Sequence, residues 1–243
     1  MLFNRKEEIS EQLKNIAVRD NGDVKIENID KLRGQVLDQL IHNAVLNPSA
    51  EIKGLSRFLI KSAALELGIV TSSIQGLYDA RGRGEVKGFT VPALNIRGLP
   101  YDLCRAIFRT AIKTQAGAFI FELAKSEMGY TFQKPQELSA VILAAAIKEG
   151  FTGPVFIQGD HFQVNAKNYA QDPEKETAEL KELIKEEYAA TQEEMLNENP
   201  AAIIAKLAPL AAKYGPILLD LLKVIKENPE LVQKLVGIGS ASK

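Results

Sequence analysis

The sequence predicts an α/β fold, a parallel sheet of about three βα units with helices before it and a helical tail after it. Three observations carry this expectation. The runs FTVPALNIRG, GAFIFELAKSE and GPVFIQGDHFQ are short, apolar, rich in β-branched and aromatic residues, and opened or preceded by glycine, the pattern of strands buried on both faces. The segments between them carry a helical period instead. Strand and helix alternate at roughly 30-residue spacing, as consecutive right-handed βαβ units do. Parallel strands are therefore expected near residues 90–95, 117–123 and 154–159.

Taken in order, residues 1–86 read as a mostly helical N-terminal region. Leu32, Val36, Leu40 and Ala44 recur at i, i+4 steps, Asn47-Pro48 makes a break, and EIKGLSRFLIKSAALELG continues with a second apolar stripe. YDARGRGEVKG, with three glycines and mixed charges, reads as a loop leading into the sheet. The first connector sets Leu103, Ile107 and Ala111 on one face, with Asp102 as a candidate N-cap and Gly117 as its end. The second groups Leu138, Val141, Ile142 and Ala145, with Pro135 near its start and Gly150 just past its end. These units make up an α/β region over residues 87–172. After Asp172-Pro173 the alternation stops, and residues 173–243 read as a helical C-terminal region. Its first helix is highly charged, with Leu180, Leu183 and Ile184 as a thin apolar side. Short amphipathic helices follow, punctuated by Pro200, Pro209, Gly215-Pro216 and Asn228-Pro229. Those helices are expected to pack on the sheet or on one another, with membrane-surface binding the minor alternative.

Charge narrows the range of functions. Lys and Arg number 30 against 31 Asp and Glu, a formal net charge of -1, so there is no basic field to draw the chain to nucleic acid. The single Cys104 makes no intrachain disulfide and no Cys-rich metal site. Within LCRAIF it reads as a small buried hydrophobe, which suits a reducing, cytoplasmic setting. The opening MLFNRKEEISEQLK is charged where a signal peptide needs an apolar stretch, and no run approaches the roughly 18 apolar residues of a membrane span.

The chemistry concentrates in VFIQGDHFQ. A buried strand ends at Gly159 and leaves Asp160 and His161 at its carboxyl end, where active sites of parallel α/β folds lie. A neutral imidazole binds metal, and a neighbouring carboxylate moves a proton without being a ligand. Alternatively Asp160 caps the next turn and His161 is a half-buried aromatic. GRGEVKGFTVPALNIRG, AFIFELAKSEMGYT and GPVFIQGDHFQVNAKNYAQDPEKE, in that order, resemble the N-terminal half of the class II, zinc-dependent fructose-bisphosphate and ketose-bisphosphate aldolases over about residues 30–186. The resemblance implies an incomplete TIM-barrel-like sheet, with residues 87–172 as a partial aldolase-like α/β barrel, His161 as a zinc ligand, Asp160 as the proton-transferring acid/base, and Asn95 and Ser126 beside the substrate. It also implies Zn²⁺ polarising a ketose carbonyl, in a glycolytic or related carbohydrate pathway. Lys125, Arg97 and Arg83 are weak local candidates for phosphate, more readily explained as solvated or paired surface charges.

The chain also departs from that family. After about Lys185 no further barrel strand is visible, nor the Glu and two His that complete the family's zinc shell. A catalytic zinc site usually has three protein ligands, whereas the chain holds only His42 and His161, and His42 in IHNAV reads as a structural or surface histidine. Two functions stay open. One is an aldehyde-lyase acting on a phosphorylated ketose or triose, impaired by its missing ligands. The other is a catalytically inactive aldolase-like structural or partner subunit, with homo-oligomerisation a possibility because three strands leave open edges.

Overall fold

The computed structural model describes residues 1–20 and 23–197, with the side chains of all of these except 18–20, 23 and 186–197. The chain opens with α1 (Lys6–Gln12) and an antiparallel hairpin, β1 (Ala17–Asp20) and β2 (Asp23–Ile26). Helix α2 (Ile29–Lys31) is capped by the Asn28 side chain, which accepts from the Lys31 N–H. A π-type turn, Leu32–Val36, kinked at Gly34, links it to α3 (Leu37–Leu46). Then come α4 (Ala50–Glu66), β3 (Ile69–Ser72), α5 (Gln75–Gly82), β4 (Ala93–Asn95), α6 (Pro100–Thr114), β5 (Ile120–Ala124), α7 (Lys125–Thr131), α8 (Pro135–Glu149), β6 (Gly153–Asp160), α9 (Ala166–Gln171) and α10 (Pro173–Asn197).

The fold is α/β, with β3, β6, β5 and β4 in that order forming a four-stranded parallel sheet. The three anticipated strands are β4, β5 and β6, each within a few residues of its expected position. The fourth, β3, corrects the sequence reading, which took residues 1–86 as mostly helical and counted three strands. Its cause is local: α4 ends at Leu67, Gly68 takes φ 72°, and the β-branched run Ile69-Val70-Thr71 continues in extended form. It pairs with β6 from Ile69↔Gly153 to Ser72↔Phe156. The hairpin was also missed, although Asn21-Gly22 between two extended runs is a turn signal. The expected loop YDARGRGEVKG is helical in its first part, because α5 runs through Gly82.

Helix boundaries follow residue chemistry. Pro100 occupies the first turn of α6, where its missing N–H has no partner to lose, so Asp102 lies inside that turn and is not the cap. The helix ends with Gln115 at φ 56°, two residues before Gly117. Its buried stripe is Cys104, Phe108 and Ala111, rotated from the expected one, so Leu103 faces solvent. The thiol of Cys104 is pushed up to about 12 by burial, as the hydrophobe reading requires. Pro135 and Gly150 bound α8 as expected, with Gly150 at φ 74°. The charged helix expected after Asp172-Pro173 is α10, whose Leu183 packs on the core. The tail helices expected beyond it lie outside the described residues.

The core lies between one face of the sheet and the helices. Phe108 of α6 sits against Phe119, Phe121 and Phe151, with ring centroids 5.7, 5.4 and 4.9 Å away. Helix α8 is buried on every side from Leu138 to Ile147, and polar contacts fix its neighbours around it. Arg57 of α4 meets Glu137 at 3.0 Å, and Arg105 and Arg109 of α6 meet Glu149 at 2.6 and 2.9 Å. The Arg33 Nε donates to the Ile147 carbonyl at 2.7 Å. No helix among the described residues is long and apolar enough to cross a membrane.

Phe108→Ala is expected to destabilise the fold by about 3–5 kcal/mol, the range for truncating a fully buried aromatic residue. Urea denaturation checks this as a lower midpoint with little change in slope.

Candidate functional site

Parallel pairing brings the carboxyl ends of β4, β5 and β6 to one edge. Asn95 is the last residue of β4 and pairs with Glu122, while Ala124 at the end of β5 pairs with Asp160 at the end of β6. Asn95, Ser126, Asp160 and His161 therefore share that edge. Along β5 and β6, Phe121 and Ile157 face the helices, so Glu122 and Gln158 point to the opposite face. There the Gln158 Nε2 donates to Glu122 Oε1 at 2.6 Å.

The edge is organised by a carboxylate that sequence reasoning did not single out, Glu127. It occupies the third position of α7 and is 3% exposed. The N–H of Ala124 donates to its Oε2 at 3.1 Å, the Glu half of a capping box, since Ala124 has no side-chain oxygen to complete the other half. Asn95 Nδ2 donates to the same oxygen at 3.1 Å and to Asp160 Oδ2, also at 3.1 Å. The Arg97 guanidinium forms an ion pair with Glu127 Oε1. Burial pushes the Glu127 carboxyl up, but the Ala124 N–H, the Asn95 amide and Arg97 outweigh it and hold the group below the usual carboxylate range.

His161 follows in a left-handed conformation, φ 54°, costly for a residue with a Cβ. Its Nε2 lies 3.1 Å from Asp160 Oδ1, and its side chain is 77% exposed while that of Asp160 is 24% exposed. Gly159 precedes the pair because the Phe162 ring folds back onto its Cα, in the space a Cβ would occupy. Ser126 is exposed in the first turn of α7, and its hydroxyl stands outside the hydrogen-bonded set around Asn95.

The cations considered for phosphate are all paired. Arg97 is on Glu127, Arg83 on Glu85, and Lys125 Nζ is 2.8 Å from Glu176 Oε1. Glu176, in the first turn of α10, also accepts from the Asn165 N–H at 2.8 Å and from Asn168 Nδ2 at 3.1 Å. It ties the segment after His161 to α7 and α10. The Asn165 N–H first, then Lys125 and Asn168, hold its carboxyl down at about 2 against the opposing effect of burial.

Among the described residues no three His, Cys, Asp or Glu side chains converge as a metal shell. His42 is exposed on α3, which packs on α4 and α8. Among the described residues His161 is the one imidazole at the sheet edge, in keeping with a zinc shell that the sequence left incomplete. Comparison with family models, with curated proteins and with solved structures finds no match to this chain.

Because the Glu176 carboxyl is depressed from 4.5 to about 2, its contribution to stability is complete above 4.5 and is lost as pH falls through about 2. Glu176→Gln should flatten that part of the stability profile, measured as the denaturation midpoint against pH. Gly159→Ala should displace the Phe162 ring and, with it, the Asp160-His161 turn, seen as shifted resonances of Phe162 and His161 while the Phe121 and Ile157 amides stay in place.

Proposed function

We propose that this chain is an aldolase-like protein, with a site for a phosphorylated ketose or triose at the carboxyl edge of its sheet and with cleavage impaired. The observation that supports the reading is the convergence of Asn95 and Asp160 there, joined by a 3.1 Å hydrogen bond across 65 positions of sequence. It is the juxtaposition that the resemblance to the N-terminal half of class II aldolases leads one to expect. On this reading the sheet is the front part of a TIM-barrel-like architecture. Asp160 takes and returns the proton of a substrate hydroxyl as general base and acid, the role its partial exposure permits. Asn95 and Ser126 hold the substrate beside it. Bound zinc would supply Lewis-acid polarisation of the carbonyl, with His161 the ligand from this chain. Among the described residues no three-ligand shell accompanies His161, and cleavage is impaired on that account. The buried Cys104 thiol is consistent with a cytoplasmic setting.

The second reading, an inactive structural or partner subunit, is favoured by one observation. Among the described residues β3 and β4 each pair on one side only, leaving two parallel-sheet edges of the kind that recruit another chain, a second copy included.

Two measurements test these readings. Titration with dihydroxyacetone phosphate should move side-chain resonances of Asn95 and Asp160 in the full chain, with the effect lost in Asp160→Ala; absence of any shift would overturn the aldolase-like site and leave the subunit reading. In a coupled assay on ketose bisphosphates with added Zn²⁺, little or no cleavage is expected. Robust cleavage abolished by both Asp160→Ala and His161→Ala would show instead that a complete ligand set exists.

A further inference from the structure

Asn95 carries two N–H bonds and one carbonyl oxygen, and the structure uses the N–H bonds completely. One goes to Glu127 Oε2 and the other to Asp160 Oδ2, each at 3.1 Å. The amide cannot be reversed at comparable cost, because Oδ1 would then face two carboxylates with no proton between. Of those two, Asp160 sits at the solvent edge and His161 also approaches it. Glu127 is buried, carries a backbone N–H on the oxygen that receives Asn95, and has its other oxygen on Arg97. Of Asn95's two partners it is the fixed one.

We propose that Glu127 is a positioning residue: it locks the Asn95 amide with both N–H groups on carboxylates, so that Asn95 meets a ligand through Oδ1, as an acceptor of a hydroxyl proton and not as a donor to a carbonyl or phosphate oxygen. The lock stands on the geometry alone, and the hydroxyl-bearing ligand rests on the aldolase-like reading. It also gives Asp160 an oriented donor, so the carboxylate oxygen left for a ligand is the one on the His161 side. Glu127 acts only through Asn95 and touches no reacting atom. Arg97, exposed at its guanidinium, holds the second Glu127 oxygen and supports the lock from outside.

The test is solvent exchange of the Asn95 side-chain N–H protons in the full chain, followed by NMR. In Glu127→Gln, exchange should accelerate about tenfold or more, the factor that goes with losing a hydrogen bond to a charged acceptor. The backbone amides of Phe121 and Ile157 should keep their protection, which a loss of global stability would not allow. Arg97→Gln changes an exposed side chain and keeps the variant series informative if Glu127→Gln does not fold; it should give a smaller acceleration confined to Asn95. Unchanged Asn95 exchange in either folded variant would overturn the lock, and so would acceleration shared equally by Phe121 and Ile157. A separate arm compares dihydroxyacetone phosphate with acetonyl phosphate, which lacks the free hydroxyl. Preference for the hydroxyl compound, lost in Asn95→Ala, is expected, and equal binding of the two would overturn the acceptor role. If neither compound binds, the aldolase-like reading and the ligand assignment that rests on it both fall, while the exchange result still decides the lock.

Discussion

The burial of α8 is the constraint on which the other elements depend. A helix apolar on all sides is stable only when it is covered all round, and here the sheet, α3, α4, α6 and α10 supply the cover. Helix α4 leads into β3, α6 into β5 and α8 itself into β6, so packing around α8 constrains where these three strands can lie. The arginines of α4 and α6 point at the two ends of the helix, Glu137 and Glu149, so that its polar ends are neutralised where its middle is dry. The half-buried pair Arg57–Glu137 contributes orientation more than net energy, because desolvation offsets much of its attraction. That orientation matters at the far edge of the sheet, where the ends of β5 and β6 set Ala124 opposite Asp160.

Two buried carboxylates at that edge follow one physical rule. A buried charge is tolerated when its oxygens are filled with donors, and Glu127 and Glu176 each have theirs filled by backbone, amide and cation together. Both sit in the first turn of a helix, where a negative charge is favoured. They divide the work: Glu127 orders the residues from β4 and β6, and Glu176 ties down the segment that follows His161. The half-buried Asp160 and the exposed His161 therefore stand on a charged but internally compensated base.

Much of this was legible in the sequence. The strands β4, β5 and β6, the ends of α8 and the burial of Cys104 come from local signals, glycine-bounded apolar runs and helical spacing, which read correctly because the local and tertiary preferences agree. β3 was not legible because four residues between two helices are too short for a period to declare itself. The rotated stripe of α6 has a similar cause, since Leu103 and Cys104 are both apolar neighbours and only packing chooses between them. The placement of Asn95 and Asp160 on one edge followed from parallel topology. The role of Glu127 did not, because its contacts span 30 and 32 positions to residues whose own roles were read separately. Its one local signal was a Glu at the third position of a helix that follows a strand.

The strand order has a consequence for how the chain reaches this state. Of the four described parallel strands β3 is made first and pairs with β6, which is made last, so until then its backbone lacks that neighbour. Strands β4 and β5 can pair as soon as both are made, with α6 folding between them. Closure by β6 then joins a preformed unit to an early, waiting segment. Contacts of such long sequence separation slow folding, and an unpaired apolar strand is exposed to other chains while it waits. Synthesis that pauses before β6 would lengthen that interval, and a permuted chain that begins after β3 and appends it behind β6 would remove it.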